Sequence, residues 1–402
     1  MSWEKVKLGD LYEVHNGLSK GGKFFGSGYP FLSFSTVFNN WFIPQNIKDL
    51  VQSTDKEQES YSIKKGDVFI TRTSETADEL GMSCVALKDY PQATYNGFCK
   101  RLRPIKSSYE VNPRYIGYYL RTSDFRGKFL GLSGTMTTRA SLRNEDLLAM
   151  EILLPPLKEQ KRIADILSAY DDLIENNQKQ IKLLEEAAQR LYKQWFIDLR
   201  YPGHETTKIV DGIPQGWRKG CLADIVRDVG INEKKENRTN YSYYLPIDCL
   251  PKKSLTYTDF NNIKLAESSL VAFSENDIVF GAMRPYFHKV VVARDSGLTR
   301  STCFVINTLK QSMWSYAVML LFDAETIKYA TKISVGTTMP YVRWKDFISM
   351  PILIPHENVT KDFNRIICPI IDRLKKISKQ NINLKQARDR LLPKLMNGEL
   401  EI

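Results

Sequence analysis

Histidine and cysteine are scarce in this 402-residue chain, and neither is arranged for metal chemistry. The four histidines, His15, His204, His288 and His356, stand far apart and form no HExxH pair. Six cysteines, at 84, 99, 221, 249, 303 and 368, contain no CxxC spacing. That excludes a zinc ribbon and fits reduced thiols in a cytoplasmic protein. No run approaches the roughly 18 apolar residues that a membrane span needs; the longest is Tyr316-Ala317-Val318-Met319-Leu320-Leu321-Phe322. The opening Met1-Ser2-Trp3-Glu4-Lys5-Val6-Lys7 has no apolar leader core, so neither membrane nor secreted protein is expected. With 43% apolar and 26% charged residues, wholesale disorder is excluded as well.

Enzyme motifs are equally sparse. Gly17-Leu18-Ser19-Lys20-Gly21-Gly22-Lys23-Phe24 follows the spacing of a phosphate-binding loop, but Phe24 replaces the Ser or Thr that would reach Mg²⁺. No Asp/Asn-Pro-Pro-aromatic element for methylating an exocyclic adenine amine occurs. Glu233-Lys234-Lys235 resembles the tail of a metal-dependent nuclease triad, yet its Asn-, Glu-, Lys- and Arg-rich surroundings read as a solvated loop. We therefore expect no catalytic residue, no metal and no cofactor in this chain.

What is present is an internal repeat. Shifted by 200 residues, positions 137–191 match 337–391 without a gap at 17 of 55 places, where chance would give about three. The identities include Thr137/Thr337, Arg143/Arg343, Met150/Met350, Pro155/Pro355, Gln180/Gln380 and Leu191/Leu391. Upstream, Trp3, Leu8 and Asp10 match Trp217, Leu222 and Asp224 with small shifts. Each unit has two textures. Its first part is rich in Gly, aromatic and β-branched residues, as in Val68-Phe69-Ile70-Thr71 and Val290-Val291-Val292-Ala293, with short helices predicted at 115–123 and 314–331. From Leu157 to about Leu199 there is then neither Gly nor Pro, and the pattern is that of one long helix.

The apolar stripe of that helix runs through Ile163, Ile166, Tyr170 and Leu173, then Ile181, Leu184 and Leu191. The eight-residue step from Leu173 to Ile181 predicts a slip in coiled-coil phase near Asn177. The second stripe runs through Phe363, Ile366, Ile370, Leu374, Leu384 and Leu391, and Pro369 should kink or restart it. A single stripe cannot be buried alone, so the two helices are expected to pair antiparallel. The fold class is thus α+β: two mixed α/β modules joined by two long helices, with an internal pseudo-twofold repeat. The boundaries read as 1–156, 157–200, 201–355 and 356–402.

The net charge of +11 favours a polyanionic partner such as nucleic acid. It is unevenly spread: the first helix is neutral and the second carries +6, which leaves +5 for the rest. Loops mixing basic, small polar and aromatic residues suit phosphates and base edges. In the first module they offer Lys20, Lys23, Arg72, Thr73, Ser74, Thr137 and Arg139. In the second they offer Lys234, Arg238, Arg284, Tyr286, Lys289, Thr337, Thr338 and Arg343. The outer face of the first helix (Lys158, Arg162, Asp165, Glu175, Lys182, Glu185) is a docking surface or simply solvated.

The whole chain resembles the DNA-specificity subunits of type I restriction-modification systems. The most specific elements are Ile152-Leu153-Leu154-Pro155-Pro156-Leu157-Lys158-Glu159-Gln160-Lys161-Arg162-Ile163-Ala164, Gly212-Ile213-Pro214-Gln215-Gly216-Trp217 and Leu391-Leu392-Pro393-Lys394-Leu395-Met396-Asn397-Gly398-Glu399-Leu400. The second copy departs from the first, reading Ile354-Pro355-His356-Glu357-Asn358-Val359 without the Glu-Gln pair. The resemblance implies that each module is a target recognition domain for half of a bipartite double-stranded DNA site. It also implies that the helices set the gap. Two methylase subunits binding S-adenosylmethionine are implied as partners, with restriction/translocase subunits using ATP and Mg²⁺. The rival reading is a coiled-coil adaptor with two protein-binding modules and no DNA role.

Overall fold

Each half of the chain begins and ends on strands that pair with each other. In the computed structural model, which describes residues 3–74, 80–133, 140–267 and 269–400, two compact units form. One gathers 1–172 with 385–402, the other 173–384.

In the first unit, Glu4–Lys7 pairs antiparallel with Glu151–Leu154, setting Val6 opposite Ile152 and Lys7 opposite Glu151. Apolar residues thus meet on the buried face and opposite charges on the wet one. A four-stranded antiparallel sheet follows, in the order Tyr12–Asn16, Cys99–Pro104, Val68–Thr71, Ser83–Val85. Its Val-Phe-Ile-Thr strand is buried on both faces, which explains a continuous apolar run in place of alternation. Val68 and Ile70 enter one core with Leu102, Tyr115 and Tyr118, while Phe69 points to another with Cys84 and Tyr95.

The second unit repeats this plan. Arg218–Cys221 pairs with Pro351–Ile354, and its four-stranded sheet runs Val226–Asp228, Cys303–Thr308, Ile278–Gly281, Val290–Val292. Ile278 and Phe280 face one core and Val279 the other. Even single hydrogen bonds recur: the Tyr115 hydroxyl donates to the Leu153 carbonyl at 2.8 Å, and Tyr316 to Leu353 at 2.6 Å. The short helices are each divided in two. Pro113–Tyr119 is followed by Ser123–Ser133, and Trp314–Phe322 by Ala324–Ile333, where Asp323 caps the second piece by accepting from the Glu325 amide at 2.9 Å.

The long helices are Leu157–Tyr192 and Glu357–Met396. At 1.5 Å per residue the first is a rod of about 54 Å. Within the first unit, Asp171 pairs with Arg388, and Ile163 and Leu167 share a core with Leu392 and Leu395. Within the second, the Asn177 amide donates to Asn381 Oδ1 at 2.9 Å, and the Trp195 and Phe363 rings are 5.4 Å apart. In each unit the partner's number falls as the first helix's rises, so the helices pair antiparallel.

The seam differs from the expected one. Leu173 is 52% exposed and Ile366 43%, whereas their neighbours Ile174 and Ile367 are buried. Successive helical residues lie about 100° apart, so one of two adjacent isoleucines or leucines meets the seam and the other meets water. With Ile174 in place, Leu167, Ile174, Ile181, Ala188 and Trp195 form an unbroken seven-residue repeat, and there is no phase slip at Asn177. Ile163, Phe363 and Leu374 are buried as expected, while Ile166, Tyr170, Leu184, Leu191, Ile370, Leu384 and Leu391 flank the seam half-buried. The second helix does not restart at Pro369. Pro369 is exposed, so the missing N–H bond falls on the wet side. Glu185 does not belong to the outer face either. It is buried, accepting from the Ser254 hydroxyl and the Leu255 amide at 2.7 Å each.

Gln160 gives the Glu-Gln pair a physical meaning. It is buried, donates to the Glu110 and Pro155 carbonyls at 2.9 and 2.8 Å, and accepts from the Asn112 amide at 2.8 Å. In the second copy Asn364, one turn further on, takes over this task. It donates to the Gln311 and Ser312 carbonyls and accepts from the Ser315 amide at 3.0 Å. Gln160→Ala would leave three partners unpaired, so a loss of about 2–4 kcal/mol is expected in urea unfolding. A loss below about 0.5 kcal/mol would contradict the clamp.

Candidate nucleic-acid interface

In the first unit, two turns interlock at one end of the four-stranded sheet. The Leu18 amide donates to the Tyr95 carbonyl and the Gly97 amide to the Leu18 carbonyl, both at 2.8 Å. A Cβ on Gly17 would fall 2.1 Å from the Asn96 carbonyl oxygen, so only glycine permits this approach there, while one on Gly97 would displace the Ser19 hydroxyl and crowd the Leu18 carbonyl at 3.1 Å. Arg72 leaves the buried strand here, its amide donating to the Phe98 carbonyl at 3.0 Å. Its guanidinium makes one long bond, Nη1 to Asn16 Oδ1 at 3.4 Å, while Nε is buried without a partner among the described residues. Beside it, burial and the Arg72 charge push the Lys100 ammonium below its ordinary pKa as it donates to Asn144 Oδ1.

The corresponding end of the second unit uses the same backbone frame. The Ala282 amide donates to the Thr302 carbonyl at 2.9 Å, and Val342 to Ala282 at 3.0 Å, as Leu142 does to Arg72 at 3.2 Å. Ala282 therefore occupies the place of Arg72, and Phe304 against Trp344, rings 5.1 Å apart, occupies that of Lys100 and Asn144. The charge appears two residues later. Arg284, with left-handed backbone, donates its amide to the Pro340 carbonyl at 2.7 Å and Nη2 to the Thr338 carbonyl at 3.3 Å. Its Nε is again buried without a partner among the described residues. Tyr286, 49% exposed, and the exposed Thr337, Thr338 and Met339 border it. Below the loop, burial pushes the His288 imidazole below its ordinary pKa, with Nε2 2.9 Å from the Phe322 carbonyl.

Other candidates are held elsewhere. Lys20 donates to Glu57 at 2.7 Å and to the Gln52 carbonyl at 2.6 Å, which ties up the ammonium that mimicked a phosphate loop. Lys23 is exposed, 5.1 Å from the Phe24 ring centre. Lys289 donates to the Ile247 carbonyl at 2.7 Å. Arg343 grips Asp346 at 2.6 Å, as Arg143 grips Asp146 at 2.8 Å, a pairing common to both copies. Lys234 is exposed and Arg238 reaches Glu267 at 3.9 Å, on a separate 3-10 turn. Thr73 and Ser74 form a short strand against Ala140–Ser141. Thr137 and Arg139 lie outside the described residues. Among the described residues, no cluster of His, Cys, Asp or Glu suits a metal ion, and no helix is long and apolar enough to cross a membrane.

A family model described as the type I restriction modification DNA specificity domain matches residues 1–186. The type I restriction enzyme MjaIX specificity subunit of Methanocaldococcus jannaschii is 27% identical over 420 residues, spanning 100% of this chain and 94% of its own. The chain is similar to type I specificity subunits over its whole length, and to their DNA specificity domain over residues 1–186. The HindI specificity subunit of Haemophilus influenzae is 21% identical over 99% of both chains. A solved S subunit from M. genitalium shares the fold, with TM-score 0.59 and 15% identity over 98% of this chain and 96% of its own.

Beside this likeness, residues that no sequence motif marks are informative. Asn16, Phe98, Lys100 and Asn144 join Arg72 at one end of the first module, yet they come from three separate stretches of chain. Only the Asn96-Gly97 turn signal ahead of Phe98 marked the place.

Proposed function

We propose that this chain selects double-stranded DNA for a type I restriction-modification complex, each module reading one half of a bipartite target. Residues 1–156 and 201–355 are the target recognition domains; 157–200 and 356–402 are the helices that set the gap and dock two methylase subunits. The reading assigns no catalysis to the chain itself. S-adenosylmethionine belongs to the methylase partners, and ATP and Mg²⁺ to the restriction/translocase subunits.

The observation that carries this reading is the pair of under-used arginines. On one repeated backbone frame, and among the described residues, Arg72 and Arg284 each keep a buried Nε without a partner and a single long side-chain bond, at positions two residues apart. Buried donors are normally paired, so each fork is short of an acceptor. A guanine edge or a phosphate supplies one. Because the two modules hold different side chains on the same frame, they are suited to different half-sites.

In the complex with methylase subunits, Arg72→Ala should relax recognition in one half-site and Arg284→Ala in the other. The loss corresponds to about 1–3 kcal/mol, or roughly 5- to 150-fold in affinity. Methylation sequencing of each variant reads the outcome. Equal relaxation of both half-sites by either variant would break the assignment of one module to one half-site. DNA affinity that ignores salt would favour the adaptor.

A further inference from the structure

Phe98 is 59% exposed, yet its backbone is hydrogen-bonded on both sides. Its amide donates to Asn96 Oδ1 at 2.7 Å, and its carbonyl accepts from Arg72 at 3.0 Å. Directly before it, the Gly97 amide donates to the Leu18 carbonyl at 2.8 Å, and a Cβ there would displace the Ser19 hydroxyl and crowd that carbonyl at 3.1 Å. The ring is therefore presented from a rigid platform and does not sit on a pliant loop. The fold does not require an aromatic there, because the second copy places Thr302 at the same point of the backbone frame. Nor is the setting apolar: Arg72, Asn16 and Lys100 surround the platform.

We propose that Phe98 is a base-step wedge: its ring stacks into the DNA of the first module's half-site while Arg72 takes an acceptor beside it. This rests on the reading of that module as a DNA reader. An aromatic face stacks on any base, whereas the adjacent guanidinium and amide supply the preference. A ring held rigid in advance loses little conformational entropy on binding. Prying open a base step also suits a complex whose methylase partners must extrude a base, since each lowers the cost of deforming the duplex for the other. The second module, with threonine at this place, does not share the device, so unstacking by a protein wedge is confined to one half-site.

The test uses the full chain with its methylase subunits and a duplex carrying the split motif found by methylation sequencing. 2-Aminopurine replaces bases one at a time, at every position except the methylated adenines. With the wild type, away from the neighbours of the methylated adenines, fluorescence should rise at one step of the first half-site and nowhere in the second. Phe98→Ala should abolish that rise and weaken binding about ten- to hundred-fold; Phe98→Trp should retain both. Arg72→Ala should weaken binding but keep the rise. If Phe98→Ala binds within twofold of wild type with the rise intact, the wedge is wrong, while an Arg72→Ala defect keeps the module a DNA reader. If Phe98→Ala instead sheds methylase subunits, the ring is a protein contact and the wedge is equally wrong. If neither variant affects any duplex, the reading of the module itself fails.

Discussion

Inserting seven residues after Asn177, matched by seven between Gln380 and Asn381, should widen the gap of the target by about three base pairs and leave both half-sites unchanged. The size follows from helix and duplex geometry: seven residues rise about 10 Å, and successive base pairs are about 3.4 Å apart. The matched insertion is dictated by the pairing. Asn177 donates to Asn381 inside the second unit, and Ile181 shares its core with Ile377. A full heptad on both helices preserves the seam on each side, because Leu167, Ile174, Ile181, Ala188 and Trp195 already recur every seven residues. The same insertion in the first helix alone would slide apolar residues against Asn381 and Arg388 and should cost the chain its stability. Altered bases within either half-site of the matched variant would count against the helices as a ruler.

Phe363→Ala should have the largest effect on folding. The ring is fully buried, meets Phe196 edge-on at 4.8 Å and Trp195 at 5.4 Å, and Phe196 in turn packs on Tyr316 at 4.7 Å. This aromatic group joins the π-helical turn Lys193–Ile197 that follows the first long helix, the start of the second and the first short helix of the second module. Truncation to alanine removes a large ring and leaves a cavity that rigid neighbours cannot close, at a cost of about 3–5 kcal/mol. Tm should fall by on the order of 10 °C. Phe363→Leu keeps most of the volume and should cost less than half as much. A loss below about 1 kcal/mol for the alanine variant would mean that the helices depend little on this cluster.

The repeat and the helices were legible because they rest on local signals. Strand 68–71 and strand 290–292 are continuous apolar runs, and a helix of some forty residues without glycine announces itself. The seam was legible only to within one residue. Hydrophobicity could not choose between Leu173 and Ile174, or between Ile366 and Ile367, since both members of each pair are apolar and only one faces the partner helix. Nor could it see that Asn177, Asn381 and Arg388 occupy seam positions, because polar residues there satisfy each other or Asp171 across the helix pair. The interface was harder still. Lys20 matched a phosphate loop by spacing, yet Glu57, remote in sequence, takes its charge. Phe98 matched nothing and emerged only when the Gly17 and Gly97 turns interlocked. Side chains that act by what lies beside them in space leave no period in the sequence.

The most direct measurement is to co-express the chain with its methylase subunit in a host free of DNA methylation and sequence N6-methyladenine across the genome. One split motif, methylated on both strands and separated by a constant unread gap, is the expected result. A continuous motif, or no methylation despite a stable complex of the two proteins, would contradict the reading of two modules and a ruler.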